Sequence, residues 1–199
     1  MVGAAICRCL SDENCEILTA DRQSLDLRNQ EAVSTWMAEQ KPDAVFLAAG
    51  TFGGIQAKES RPADFLYDNL MIESNIIHTS KQINVEKLMF LGSACIYPRD
   101  AEQPMSENAL MTGLLEPTNE CYAIAKIAGI KMCQSYRQQY SCDYISAMPN
   151  NLYGPGEPLT CKVVTLFPLF CASSMKQNKG PNHLSKFGEQ ANPDVNSFM

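Results

Sequence analysis

Residues 44–91 read AVFLAAGTFGGIQAKESRPADFLYDNLMIESNIIHTSKQINVEKLMFL, and this stretch decides the fold. It opens on Ala44–Ala49, a continuous apolar run of the length and kind that suits a strand buried on both faces. It closes on Lys87–Leu91, a second such run. Between them Pro62–Gln82 carries Phe65, Leu66, Leu70, Ile72, Ile76 and Ile77 along one long helical segment. Strand, long helix and strand in succession make a parallel crossover unit.

The pattern extends both ways. Upstream, Val2–Leu10 reads as a short helix, Cys15–Ala20 as a strand, and Asn29–Gln40 as a helix with Ala32, Val33, Trp36 and Met37 at its spacing. Downstream, Cys121–Tyr140 reads as a helix and Tyr144–Met148 as a strand. Regular alternation of this kind predicts an α/β doubly wound parallel sheet. Two places break the pattern. The chain opens on a helix with no strand before it. After Gly156, Leu159–Lys176 is apolar without a clean period, and the stretch to Met199 is rich in Asn, Pro, Lys and Gly. The boundary is read at 156, with an α/β domain over 1–156 and an irregular segment over 157–199.

The 199 residues are 45% hydrophobic and 19% charged, enough to bury a core. The net charge of -6 argues against a sequence-independent nucleic-acid binder, which needs a basic face. The nine cysteines, Cys7, Cys9, Cys15, Cys95, Cys121, Cys133, Cys142, Cys161 and Cys171, form no C-x-x-C pair, and the two histidines are far apart. A zinc site is not expected. No signal segment or apolar run of membrane-spanning length is visible, so free thiols in a reducing cytoplasm are expected.

The strongest chemical constellation is Tyr122-Ala-Ile-Ala-Lys126 with Ser93 upstream. Positions i and i+4 of a helix share a face, which brings phenol and ammonium into one site. A free phenol has a pKa near ~10, and a lysine cation beside it favours the phenolate. Such a tyrosine can exchange a proton with a carbonyl or alcohol oxygen. Ser93 lies just past the strand Lys87–Leu91, at the carboxyl end where α/β sheets place ligands. The plain alternative is a surface Tyr and Lys on an amphipathic helix. Cys95, in Gly-Ser-Ala-Cys-Ile-Tyr-Pro, offers a thiol for proton abstraction beside a carbonyl, or else is a buried structural cysteine.

Candidate cofactor residues are weaker signals. Arg22 follows the strand Cys15–Ala20, where an arginine suits the 2'-phosphate of NADP, although Asp21 beside it would suit NAD. Asp26 and Leu27 are placed to reach an adenine in the same crevice. Ala48 and Ala49, with Gly50, are small residues that permit close approach of a ligand, or simply make a tight turn. Gly3 stands alone where a dinucleotide fingerprint needs several glycines. Asn150-Asn151-Leu-Tyr-Gly-Pro ends the next strand in the same way.

These pieces in this order resemble the GDP-L-fucose synthase family of the extended short-chain dehydrogenases/reductases. The resemblance rests on Leu47–Ile55, Asp64–Leu70, Phe90–Pro98 and above all Glu116–Lys131, and it runs from about Gly3 to Pro155. It implies a Rossmann-like fold with NADP as cofactor, an incomplete nucleotide-binding domain over 1–156 and a remnant of the substrate-binding domain over 157–199. It also implies a GDP-4-keto-6-deoxy-mannose substrate, epimerised at C3 and C5 and then reduced at C4. On this likeness Ser93, Tyr122 and Lys126 form the reductive triad and Cys95 is the epimerisation base. Asn151 helps position substrate or nicotinamide. A homodimer through the helices after Ser60 and Asn119 is implied as well.

The chain also departs from the family pattern. The family's Gly-x-x-Gly-Met-Val-Gly begins here at its Met, so the first strand and two glycines are not represented. A histidine expected soon after Asn-Leu-Tyr-Gly-Pro is absent, and Lys162 stands roughly in its place, on the substrate side. Two other readings therefore stand beside the first: a non-catalytic nucleotide-binding or dimerising relic, and an enzyme of another nucleotide sugar. In a 3-2-1-4-5-6 sheet the unrepresented strand would lie between Cys15–Ala20 and Lys87–Leu91. Its loss predicts an open slot, an unstable or aggregating chain, poor NADPH binding and no GDP-sugar turnover; the alternative is that the two neighbours pair directly and give a smaller sheet.

Overall fold

The computed structural model describes residues 1–150, 152 and 170–174. In chain order the elements are α1 (Val2–Leu10), β1 (Glu16–Ala20), α2 (Gln30–Gln40), β2 (Ala44–Leu47), α3 (Ile55–Ser60), α4 (Pro62–Gln82), β3 (Lys87–Leu91), α5 (Glu120–Tyr140), β4 (Asp143–Ala147) and β5 (Phe170–Ser174). Local chemistry sets several ends. Asn29 caps α2, its side-chain oxygen accepting from the Ala32 N–H at 3.1 Å. Pro62 begins α4, where a missing N–H costs nothing. Helix α5 ends at Ser141 in the left-handed region, φ 57°.

The α/β doubly wound architecture is as the alternation predicts. Strand β2 pairs parallel with β3, Ala44 opposite Lys87, and β3 pairs parallel with β4, Lys87 opposite Asp143. The core lies between this sheet and the helices: Val33 and Met37 from α2, Ile72, Ile76 and Ile77 from α4, and Ile130 from α5 close over Val45, Leu47, Leu88 and Phe90. Helices α4 and α5 pack side by side, and their contact requires a glycine. A Cβ on Gly129 would stand 2.5 Å from the Phe90 ring and 2.7 Å from Glu73 Oε2.

The sheet order is β1-β5-β2-β3-β4, and this corrects two expectations. The slot of the unrepresented strand is bounded by Glu16–Ala20 and Ala44–Leu47, not by Lys87–Leu91, because β2 lies against β3. The slot is also filled. Within the segment expected to be irregular, Phe170–Ser174 form a strand that pairs antiparallel with both neighbours; Ala172 lies opposite Leu18 on one side and Val45 on the other. The reason is backbone accounting. Two open edges would leave two rows of N–H and C=O groups unpaired at about 1–3 kcal/mol each, and a strand of either direction satisfies both rows. The sheet is thus four parallel strands with one antiparallel insert. The rest of 157–199 lies outside the described residues.

Candidate active site

Strand β3 delivers the site. Beyond Leu91, Gly92 donates its N–H to the Ala147 carbonyl at 2.8 Å and passes so close to Met148 that a Cβ would fall 2.5 Å from its sulfur. Ser93 follows in extended conformation and opens a single 3-10 turn over Ala94–Ile96. That turn folds Cys95 back, and its thiol donates to Ser93 Oγ at 3.2 Å. The Ser93 hydroxyl also hydrogen-bonds the Tyr122 phenol. Ser93, Cys95 and Tyr122 are therefore one hydrogen-bonded group, joined from β3 and α5.

Tyr122 and Lys126 share a face of α5 and are both buried. The Lys126 ammonium donates to the Leu91 carbonyl at 3.1 Å, lies 4.7 Å from the Phe90 ring centre and 5.8 Å from the Tyr122 ring centre. Its ion-pair partner is Glu73 of α4, with Oε1 at 3.0 Å. Glu73 is 1% exposed and Lys126 4%. Glu73 Oε2 has no hydrogen-bond partner among the described residues. Burial pushes the Glu73 carboxyl up to about 7, against the pull of Lys126.

Tyr122 is held above the usual tyrosine value, first by burial and then by the negative charges of Cys95 and Glu73, with the Ser93 hydrogen bond opposing. Lys126 Nζ pairs with Glu73 at 3.0 Å and lies 5.8 Å from the phenol's ring centre. In this state Tyr122 is a phenol with a proton to give.

A second cation, unforeseen in the sequence, also lies near the Tyr122 ring. Lys58 of α3 donates to Asn119 Oδ1 at 2.7 Å and sits 4.7 Å from the Tyr122 ring centre and 5.4 Å from that of Phe52. Burial lowers its pKa, and the Cys95 charge opposes that. Lys58, Glu59, Pro62, Pro117, Thr118, Asn119, Cys121 and Tyr122 line a cavity of about 350 Å³. Helix α3 has six residues, too few to show a helical period in sequence.

The exit of β2 runs beside Lys126. Ala49 is buried, and a Cβ on Gly50 would stand 2.8 Å from Asn69 Oδ1 and 3.9 Å from Lys126 Nζ. Asn69, fully buried on α4, accepts from the Thr51 N–H and donates to the Thr51 carbonyl, both at 3.0 Å. The small residues Ala48 to Gly50 thus permit a close approach, but its immediate partners are Asn69 and Lys126.

The second cluster lies beyond β1. Arg22, Leu25, Asp26, Leu27, Arg28, Gly50, Thr51, Asp68 and Ile72 line a narrow cleft of about 20 Å³. Asp21 is committed locally: its carboxylate accepts from the Gln23 and Ser24 N–H groups at 2.9 and 2.8 Å, which lowers its pKa. Arg22 is exposed beside it. Asp26 is held to about 2, chiefly by Arg28, which reaches its two oxygens at 2.9 and 2.8 Å and also contacts Asp68 at 3.1 Å. Leu27 is buried, its carbonyl accepting from Asn75 Nδ2 at 2.9 Å. Gly3 is buried in the first turn of α1. Asn151 and Lys162 lie outside the described residues.

The family model described as NAD dependent epimerase/dehydratase matches residues 1–182. A GDP-L-fucose synthase of Sinorhizobium fredii is 60% identical over 155 residues, covering 78% of this chain and 49% of that protein. A GDP-L-fucose synthase of Escherichia coli is 56% identical over 156 residues, with coverage of 78% and 49%. The chain therefore spans about half the length of these relatives. A GDP-mannoheptose C4 reductase from Campylobacter jejuni, solved with NADP bound, superposes with a TM-score of 0.65 at 47% identity, covering 67% of this chain and 39% of that one. Among the described residues no helix is long and apolar enough to cross a membrane.

Proposed function

The chain belongs to the NAD dependent epimerase/dehydratase family, and from that premise we propose that it carries the nucleotide-binding and proton-transfer part of an epimerase/reductase. The reaction proposed is the conversion of GDP-4-keto-6-deoxy-D-mannose to GDP-L-fucose. The single observation behind this reading is the Cys95–Ser93–Tyr122 group, a thiol 3.2 Å from a hydroxyl that also holds a buried phenol. Reduction alone needs one proton donor. A thiol beside it adds a group able to take a proton from carbon. The likeness to two GDP-L-fucose synthases supports the substrate class.

The chain's own residues divide the work. Tyr122 gives its proton to the C4 oxygen of the sugar, and the Ser93 hydroxyl hydrogen-bonds that same oxygen. Cys95, as thiolate, takes the proton from a carbon next to the C4 carbonyl, while the carbonyl oxygen takes up the electron pair as an enolate. A proton from solvent water returned to that carbon on its other face inverts it as the enolate collapses to the carbonyl.

NADP is the proposed cofactor, and it supplies hydride when bound. The residues fit it at both ends. On the adenosine side Asp21 accepts from its own turn through one oxygen, and the exposed Arg22 beside it is a cation suited to a 2'-phosphate. On the nicotinamide side Tyr122 and Lys126 stand beside small residues at the end of β2. Between the two, β5 runs antiparallel, so the strand-to-helix glycine turn that cradles a pyrophosphate has no counterpart among the described residues. Gly3 and the start of α1 remain as its candidate. The homodimer through α4 and α5 and a cytoplasmic location belong to the same proposal.

The test is incubation of the chain with NADPH and GDP-4-keto-6-deoxy-D-mannose. NADPH oxidation with the GDP sugar and not with UDP- or dTDP-linked 4-keto sugars supports the reading. Oxidation with those analogues shifts it to another nucleotide sugar. Tight NADPH binding with no turnover of any of them makes the chain a binding module.

A further inference from the structure

Helix α3 is fixed against the active site. A Cβ on Gly53 would stand 3.0 Å from the Phe65 ring and 3.1 Å from the Ala57 Cβ, so a glycine is what lets the chain enter α3 this close to Phe65. Ala57, Phe65 and Tyr122 form one buried apolar cluster, and Cys95 packs against it. Lys58, the next residue of α3, is thereby held within reach of the thiol's charge. Its ammonium donates to Asn119 Oδ1 at 2.7 Å and lies 4.7 Å from the Tyr122 ring centre. That amide is neutral, and no carboxylate pairs with Lys58 among the described residues. The ionisable groups around the sulfur are Lys58 of α3 and Tyr122 of α5. Tyr122 in turn lies near the Glu73–Lys126 ion pair, and Glu59 and Cys121 line the cavity beside Lys58.

We propose that Lys58 is a positioning residue for the base, its ammonium serving as the counter-charge of the Cys95 thiolate. The thiol gives its proton to water, the sulfur becomes an anion, and Lys58 is the matching cation. Each charge alone in a half-buried site is uncompensated; together they stabilise one another. The hydrogen bonds can follow the charge. As a thiol, Cys95 donates to Ser93 Oγ at 3.2 Å; as a thiolate it can only accept, and the Ser93 hydroxyl turns to donate to it. The polar chain then runs from the Tyr122 phenol through the Ser93 hydroxyl to the sulfur, each proton directed toward Cys95. The inference deepens the reading of Cys95 as the base and rests on it, but its test uses no substrate.

The experiment is alkylation of the full chain by iodoacetamide across a range of pH, with the peptide carrying Cys95 quantified by mass spectrometry. Cys133, 1% exposed, monitors folding in the same samples, since it reacts only when the core opens. Wild type and Lys58→Arg should share one profile. Lys58→Met should move the Cys95 profile to higher pH and slow its alkylation at ~pH 7 about threefold or more, a roughly tenfold smaller thiolate fraction being offset in part by a more nucleophilic sulfur. Lys58→Glu should move it further in the same direction. A profile unmoved in Lys58→Met overturns the proposal, and so does a Lys58→Arg protein that follows Lys58→Met. If Lys58→Met exposes Cys133, Lys58→Gln replaces it, with the same expected and overturning results. If Cys95 responds to Lys58 as expected but no GDP sugar is turned over, the function reading falls by itself and the pairing stands.

Discussion

Lys126 Nζ lies 3.0 Å from Glu73 Oε1 and 5.8 Å from the centre of the Tyr122 ring, so the lysine's strongest partner is a buried carboxylate and not the phenol. The pH dependence of stability follows. Glu73 is raised from its ordinary value to about 7, so the folded chain binds this proton more tightly than the unfolded one. Its contribution is fully present below the unfolded carboxyl value and is lost as pH rises through about 7. Glu73→Gln should flatten the fall in stability across that window, by an amount on the order of a few kcal/mol. Urea unfolding at several pH values checks it, and parallel curves for the two proteins would refute it.

Gly129→Ala separates packing from propensity. Alanine gains roughly 1 kcal/mol over glycine inside a helix. At this position its methyl would meet Phe90 at 2.5 Å and Glu73 at 2.7 Å, so α4 and α5 must part. Overpacking of that kind costs about 1–3 kcal/mol. A net loss in urea midpoint is expected; a gain would mean that the helices separate freely.

How much of this was legible in sequence depends on whether a residue's partner is near in the chain. Pro62–Gln82 and Lys87–Leu91 could be read to the residue, because length, period and composition agree along one segment. Ser93, Tyr122 and Lys126 were legible as a pattern, since a helix fixes the i, i+4 geometry. Glu73 was not. In Met71-Ile72-Glu73-Ser74 it looks like any solvated glutamate, and only Lys126 on another helix makes its burial tolerable. Phe170–Ser174 was not legible either, because its strand character comes from the two ladders it completes. Arg28, at no motif position, turned out to hold both Asp26 and Asp68.

The two proton-transfer roles should separate. Tyr122→Phe removes the proton donor to the C4 oxygen and should abolish NADPH oxidation, while leaving exchange of sugar protons with solvent. Cys95→Ser keeps the hydrogen bond to Ser93 but replaces the thiol by a far weaker acid. It should slow solvent deuterium uptake at C3 and C5 by about 10²-fold or more, the usual size of a lost acid–base group. Mass spectrometry of the recovered GDP sugar reads the exchange. Unchanged uptake in Cys95→Ser would make that thiol structural.

Arg22→Ala probes the cofactor assignment. Asp21 accepts from the Gln23 and Ser24 N–H groups through one oxygen, and Arg22 stands exposed beside it. Its removal should weaken NADPH by about 1.5–3 kcal/mol, the range of a charged hydrogen bond, and leave NADH nearly unchanged. Fluorescence titration with both nucleotides decides it. Equal losses would move recognition of the 2'-phosphate elsewhere.

The filled slot gives the sharpest test of the fold. Strand β5 lies between β1 and β2, with Ala172 opposite Leu18 and Val45, so its backbone completes the ladders of both neighbours. Proline at 172 removes a ladder N–H and places a ring in the interior of a sheet, where proline is essentially never found. Opening the insert exposes two edges at once, each unpaired buried group costing about 1–3 kcal/mol. A normal domain has a margin of roughly 5–15 kcal/mol, so a few such groups consume it. Ala172→Pro should therefore lose cooperative thermal unfolding or aggregate. Ser141→Pro makes the comparison, since it sits past the end of α5 with φ 57°, a value proline cannot adopt. That change should cost only the local cap and leave a cooperative, lower transition. If instead Ala172→Pro melts like wild type, the sheet does not depend on Phe170–Ser174. The slot between β1 and β2 would then be open to another strand.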